Sequence, residues 1–115
     1  MATFTIIISE APYGREKAYT SLRFALTALV DGHKVNIFLV QDGVYVAKKD
    51  QNPAEFPSIL GYLEEAIKEG ATIRICTPCA NARGVSEDII VEGAKLGTMH
   101  DLVGWVAESD KVITF

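Results

Sequence analysis

Two cysteines separated by two residues, Cys76 and Cys79, are the residues of this chain best suited to chemistry. They follow an apolar run, and the Thr77-Pro78 pair between them is typical of an N-cap followed by proline at the first helical position. The free N–H groups of a helix start carry partial positive charge, which favours the thiolate form of a cysteine. Arg83, one or two turns further along, would add positive charge or bind an anionic sulfur species. The segment predicts a nucleophilic thiol where a strand gives way to a helix.

The same two cysteines allow two other interpretations. A free cysteine such as Cys76 often serves as a small buried hydrophobic residue at the end of a core strand. A pair with this spacing at a helix start is also the arrangement of dithiol redox proteins. A disulfide between Cys76 and Cys79 would close only a small ring and restrict the unfolded chain little, so a purely structural role is not expected.

Metal and cofactor sites are not expected. A closed zinc site needs four ligands, and the only histidines, His33 and His100, are predicted to be ordinary surface or helix-end residues. His33 precedes the second predicted strand, at the end of the sheet opposite Cys76, and only a site shared between chains stays open. The Ala11–Gly14 turn has one glycine where a dinucleotide fingerprint has three, so it does not indicate a nucleotide or flavin.

Short apolar runs, rich in β-branched residues, alternate with stretches of helical periodicity along the chain. The runs predict strands at Phe4–Ile8, Val35–Val40, Thr72–Ile75 and Lys111–Phe115, and a brief additional strand around Ala94–Leu96. Apolar residues at helical spacing predict helices over 18–29 and 59–67, ended by Gly32 and Gly70.

The second half of the chain contains shorter helices. Gly84 closes the one that begins after Cys76, and Ser86 is a predicted cap of another short turn. Thr98 and Asp101 resemble a capping box. Four residues of the helix behind it are predicted to form one apolar face: Met99, Leu102, Val103 and Val106.

Alternating strands and helices predict a single α/β domain over residues 1–115, with a flavodoxin-like three-layer α/β/α fold and a mainly parallel sheet of four to five strands. In a flavodoxin-like order the first and third strands are neighbours, so the Ser9–Gly14 loop and the Cys76 loop would open into one crevice. Tyr13 and Gly14 are then either a plain turn or part of the crevice that binds substrate beside Cys76.

The Gln41–Pro57 connection is longer than most, and its Gly43–Val46 stretch is apolar and aromatic. Such side chains in an exposed loop need a cover. The stretch is expected either to form a subunit interface or to fold back on its own core, and the sequence does not decide between them.

Composition excludes several functions. The chain has 115 residues, 49% of them hydrophobic, a formal net charge of −4 and a pI near 5.1. A nucleic acid or an anionic membrane would need a clustered positive surface, and no run of Lys or Arg occurs. The absence of a long apolar stretch or a signal-peptide pattern makes the cytoplasm the expected compartment.

Five segments, taken together and in order, resemble the DsrE/DsrF-like family in its DsrE/TusD sulfur-relay type. They are Ala11–Gly14, Ala28–His33, Asp42–Tyr45, Cys76 with Ala80 and Ala82–Val85, and Ser109–Phe115. The resemblance implies a flavodoxin-like fold, assembly into homo-oligomers (trimers or hexamers), and a cysteine that accepts sulfane sulfur as a persulfide and hands it on to an acceptor protein. Cys76 occupies that cysteine's position, whereas Cys79 departs from the relay pattern.

These observations give three hypotheses. The first is a sulfur carrier, sulfurtransferase-like, that uses Cys76, with Cys79 and Arg83 as auxiliary groups, sulfur donor and acceptor proteins as partners, and no bound cofactor. The second is a thiol–disulfide oxidoreductase or redox sensor that uses Cys76 and Cys79 as a pair. The third is a non-catalytic assembly module whose cysteines are core residues.

Overall fold

The computed structural model describes all 115 residues, and its chain alternates between strands and helices. The strands are β1 (Thr3–Ile8), β2 (Lys34–Leu39), β3 (Thr72–Cys76), β4 (Ala94–Gly97) and β5 (Lys111–Thr114). The α-helices are α1 (Lys17–Val30), α2 (Ile59–Lys68), α3 (Thr77–Ala82) and α4 (Met99–Glu108). Two 3-10 helices lie at Gln41–Ala47 and Glu87–Ile89.

All five strands are parallel and form one sheet in the order β4-β3-β2-β1-β5. The steps from β1 to β4 all run in one direction along the sheet, so right-handed crossovers place α1, α2 and α3 on one face. The return from β4 to β5 runs the other way and places α4 on the opposite face. The result is a three-layer α/β/α domain with a five-stranded parallel sheet, which confirms the predicted fold class.

Alternate residues of the strands supply the main core. On β1, β2 and β3 its largest members are fully buried: Ile6, Ile8, Ile37, Leu39, Ile73 and Ile75. Small and medium side chains of α1 and α2 pack against them, among them Ala18, Leu22 and Leu63. Phe38 is also buried but points to the other face, where its ring meets Trp105 of α4 edge-on at 5.9 Å between centroids. The period of two along each strand thus separates two packing layers.

The expectation that the first and third strands are neighbours is wrong. β2 lies between them and pairs with both. The physical reason is that the first three crossovers each advance one strand in the same direction, so the order reverses only at β1, which has β5 as its other neighbour. The loop after β1 and the Cys76 loop are therefore separated by the end of β2.

Helix boundaries match the predictions with one shift. The capping box of Thr98 and Asp101 is present, and Gly32 and Gly70 have positive φ where α1 and α2 end. Thr77, however, is not the N-cap of α3. Cys76 holds that position, and the Thr77 hydroxyl instead donates to the Gly97 carbonyl at 2.7 Å, which ties the start of α3 to the end of β4.

The apolar face predicted for α4 is present, but most of it is exposed to solvent and does not pack on the sheet. Leu102 is half-buried, but Met99, Val103 and Val106 are 63%, 60% and 40% exposed. The helix turns Trp105 towards the sheet, and this rotation carries the other three side chains out into solvent. They form an apolar stripe with the spacing i, i+4, i+7, called here the α4 stripe.

The Gly43–Val46 stretch folds back on its own core. Val44 and Val46 are fully buried in the 3-10 helix Gln41–Ala47, and Tyr45 between them is partly exposed. The close approach depends on Gly43, because a Cβ at this position would lie 2.1 Å from the Ile8 carbonyl oxygen. No side chain fits in that space, so glycine is required where this segment crosses the end of β1.

We expect Gly43→Ala to lower the free energy of unfolding by about 3 kcal/mol, because the added methyl group would push backbone atoms apart in a tightly packed region. The matched control is Gly104→Ala in α4, where an added Cβ meets nothing within 4 Å. That change should be neutral or stabilise the helix by up to about 1 kcal/mol. Urea titration of both variants measures the difference, and equal midpoints would contradict the packing argument.

Candidate functional site

Cys76 and Cys79 lie together where β3 ends and α3 begins. Cys76 is the last residue of β3 and the N-cap of α3, so Cys79 occupies the third helical position. Cys76 is buried, with 9% of its surface exposed, whereas Cys79 is partly exposed and packs against the core. Both thiols are free. The strand-to-helix junction predicted for these residues is confirmed.

The environment of Cys76 favours its thiol form. Burial is the largest cause and raises the pKa of Cys76 above its ordinary value. The thiol of Cys79 raises this pKa further, while the backbone N–H of Cys79 and the charge of Arg83 lower it. The backbone N–H of Cys79 favours the thiolate, as the helix start predicts, but burial outweighs it and the net pKa of Cys76 is raised. Desolvation outweighs the helix effect here because α3 has only six residues and Cys76 is largely out of solvent.

Arg83 lies beside this pair but is partly committed to other partners. Its Nε donates to Asp42 Oδ1 at 2.9 Å, and its Nη1 donates to the Cys79 carbonyl at 3.2 Å. Asp42 belongs to the Gln41–Ala47 helix, so this ion pair joins that segment to α3. The guanidinium has five N–H donors, and these two bonds leave three of them free for another partner.

Tyr13 and Gly14 lie in a different part of the surface. They line a cleft of about 510 Å³ together with Phe56 and residues of the 52–54 turn, and neither cysteine nor Arg83 contributes to it. The Tyr13 hydroxyl donates to Gln51 Oε1 at 2.6 Å and accepts from the backbone N–H of Ile59 at 3.0 Å. The single crevice predicted for Tyr13, Gly14 and Cys76 is therefore not formed. The cause is the strand order, because β2 and the Gln41–Ala47 helix separate the two loops.

The two histidines do not form a metal site with the cysteines. His33 Nδ1 accepts from the backbone N–H of Ala2 at 2.9 Å, and its ring stacks on Phe4 at 5.0 Å, at the amino-terminal edge of the sheet. His100 is exposed. No three His, Cys, Asp or Glu side chains come close enough to hold a metal ion.

None of the helices has the length and apolar character needed to cross a membrane.

Comparison with known proteins places this arrangement in a family. A family model described as DsrE/DsrF-like matches residues 2–115. The chain belongs to the DsrE/DsrF-like family. It is 61% identical to protein MJ0989 of Methanocaldococcus jannaschii over 112 residues, which cover 97% of this chain and 98% of that one.

A second relative links this family member to a solved structure. Protein YchN of Escherichia coli is 31% identical over 117 residues, and the match covers 100% of both chains. The crystal structure of the E. coli ychN protein superposes with a TM-score of 0.95, again over 100% of both chains. The family resemblance read from the sequence is confirmed, as is the α/β fold.

Two residues that organise the site of this DsrE/DsrF-like protein escaped the sequence analysis. The carboxylate of Asp42 pairs with Arg83 across 41 positions of the sequence. The Gln51 side chain donates to three backbone carbonyls of residues 45–48 and accepts from the Tyr13 hydroxyl and the Leu60 N–H. Only tertiary structure brings these partners together, so the sequence carries no signal for either role.

We expect the alkylation rate of Cys76, measured against pH in a Cys79→Ser background, to rise with a midpoint above that of an ordinary cysteine. Burial disfavours the charged thiolate, so the fraction of reactive thiolate stays small until the pH exceeds about 8.5. Adding Arg83→Gln should move the midpoint still higher, because a positive charge that lowers the pKa is lost.

The same ionisation has a consequence for stability. Because the raised pKa belongs to the folded state, the folded chain holds its proton longer, and stability should fall as the pH rises from about 8.5 through the folded-state pKa. Lys111→Gln removes a positive charge at an exposed position on the edge strand β5 and is the control for Arg83→Gln. It should leave the pH midpoint of Cys76 alkylation unchanged. A midpoint below that of free cysteine would contradict the burial argument.

Proposed function

We propose that this protein carries sulfane sulfur as a persulfide on Cys76. The observation that supports the proposal is the position of the Cys76 thiol at the end of β3, with Cys79 and the guanidinium of Arg83 beside it, in a chain of the DsrE/DsrF-like family. Arg83 is then the group that would contact the anionic sulfur. The carrier is sulfurtransferase-like in its chemistry and needs no cofactor for the transfer.

Loading takes place by thiolate exchange. The Cys76 thiolate attacks the terminal sulfur of a donor persulfide, a new S–S bond forms at Cys76, and the donor's S–S bond breaks to release the donor thiolate. Delivery is the same exchange with Cys76 as the donor. An acceptor thiolate attacks the outer sulfur, the S–S bond to Cys76 breaks, and Cys76 leaves as a thiolate. The donor and the acceptor are proteins with accessible thiols, because the transfer needs only a reachable sulfur and a docking surface.

The raised pKa of Cys76 makes this carrier slow to load at neutral pH unless a further positive charge lowers that pKa. In the isolated chain the thiol form predominates, and Arg83 offsets burial only in part. A donor that docks over α3 with its own positive charge would favour the thiolate. Alternatively, loading takes place from the small thiolate fraction, since a thiolate of higher pKa is intrinsically more nucleophilic.

We expect purified full-length protein treated with sodium tetrasulfide and then desalted to gain one sulfur atom on Cys76, as read by mass spectrometry of alkylated peptides. Cys76→Ser should gain none, and Cys79→Ser should gain as much as the unchanged protein in a short reaction. Added sulfur on Cys79 alone, or no added sulfur on Cys76 in the Cys79→Ser variant, would sink the carrier assignment.

A second candidate function is thiol–disulfide exchange through Cys76 and Cys79. The observation that favours it is the placement of the two cysteines at the N-cap and third position of α3, with the Cys79 thiol among the groups that raise the pKa of Cys76. Under this alternative, either single Cys→Ser variant abolishes a reversible two-electron couple. A carrier loses its activity only with Cys76→Ser, so the same pair of variants separates the two functions.

We also propose that the protein works as a homo-oligomer, a trimer or a hexamer, and that the α4 stripe of Met99, Val103 and Val106 lies in an interface. An apolar helix face of this kind in water is typical of a contact between subunits.

Val103→Glu should shift the oligomer towards species of smaller mass, because a carboxylate placed in an apolar contact loses its hydration without gaining a partner. The control is Val30→Glu, which makes the same change at a valine that is 80% exposed at the end of α1. Light scattering coupled to size exclusion measures both masses. Unchanged mass in Val103→Glu, or equal loss in both variants, would contradict the placement of the interface.

A further inference from the structure

The second cysteine of the site is placed to react with anything bound to the first. Cys76 is the N-cap and Cys79 the third residue of α3, a pair of positions whose side chain and backbone face each other in capped helices. Residues three apart in a helical turn have Cα atoms about 5 Å apart, which lies within the range that a disulfide spans. The fold therefore permits an S–S bond between these residues without moving the backbone far.

The two thiols differ in exposure, and the difference suits Cys79 as the attacking sulfur and Cys76 as the sulfur that is attacked. The two thiols lie at neighbouring positions of the same helical turn, and the Cys79 thiol is the more exposed of the two. Cys79 is thus the group with access to solvent, and Cys76 holds the sulfur on which it would act.

We propose that Cys79 resolves a persulfide on Cys76 and releases the carried sulfur as hydrosulfide; this inference rests on the proposed carrier function. The Cys79 sulfur attacks the inner sulfur, Sγ of Cys76. The bond between the inner and outer sulfur atoms breaks, and the Cys76–Cys79 disulfide forms. The outer sulfur leaves as HS⁻ with the proton that Cys79 gave up.

The electrons of this step balance within the loaded protein. The carried sulfur is reduced to sulfide by two electrons, and the two cysteine sulfurs are oxidised to a disulfide. No external oxidant enters the reaction. A thiol reductant, such as a dithiol, is needed only afterwards to return the disulfide to two thiols for another turn.

Geometry favours attack on the inner sulfur over attack on the outer one. The inner sulfur, Sγ of Cys76, belongs to the N-cap residue, which lies within disulfide span of Cys79, whereas the outer sulfur would extend one S–S bond beyond it. Arg83 assists the departure of an anion. Its guanidinium is bonded to the Cys79 carbonyl and to Asp42, and its remaining N–H groups supply positive charge beside the leaving sulfide.

The test is a single-turnover release experiment. Full-length protein and Cys79→Ser are loaded with sodium tetrasulfide, desalted and incubated without reductant, while free sulfide is measured against time. We expect the unchanged protein to release one sulfide for each Cys76–Cys79 disulfide formed, and Cys79→Ser to release it at least about tenfold more slowly, because an intermolecular thiol must replace a neighbouring one. The rate in the unchanged protein should not depend on protein concentration. Ala82→Ser, an exposed position on the same helix, is the matched control and should release sulfide like the unchanged protein.

Each outcome bears on one proposal. Failure of both proteins to load on Cys76 would remove the carrier function itself. Equal release from the loaded protein and from loaded Cys79→Ser would leave the carrier intact and overturn the resolving role. Transfer of the extra sulfur to Cys79 without sulfide release, detected by peptide mass, would likewise overturn it, because attack would then be on the outer sulfur.

Discussion

The approach of Gly43 to the Ile8 carbonyl holds the carboxyl edge of the sheet together. Without a side chain at Gly43, the Gln41–Ala47 helix crosses directly over the end of β1 and buries Val44 and Val46 in the main core. The same crossing brings Asp42 out to Arg83 on α3. A constraint at one backbone position therefore closes the core and fixes the charge beside the thiols.

The thiol site balances burial against reactivity. Cys76 ends a core strand, so it is held rigidly but loses most of its contact with water, and its pKa rises. Cys79, one helical turn further on, keeps access to solvent. Because the charge of Arg83 is shared with Asp42, it offsets the burial of Cys76 only in part. In this pair, Cys76 has a fixed position in the core and Cys79 has access to solvent, two properties that a single exposed cysteine could not combine.

The long connection between β2 and α2 is organised by one polar side chain. Gln51 bonds to backbone groups on both sides of the turn and to the Tyr13 hydroxyl, so it joins the Gln41–Ala47 helix, the start of α2 and the loop after β1. The cleft beside Tyr13 is thereby built on ordered elements although its lining is a loop. It is structurally distinct from the cysteine pair.

The sequence by itself determined the family, the class of fold and nearly every element, because β-branched runs, helical spacing and glycine stops are local signals that tertiary packing here reinforces. It also located Cys76, Cys79 and Arg83 in one short segment, where chain connectivity alone keeps them close. Strand order, the rotation of α4, the partners Asp42 and Gln51, and the net direction of the Cys76 pKa were decided only by tertiary structure. Each of these depends on contacts between residues distant in the chain or on the extent of burial, and neither is encoded in spacing along the sequence.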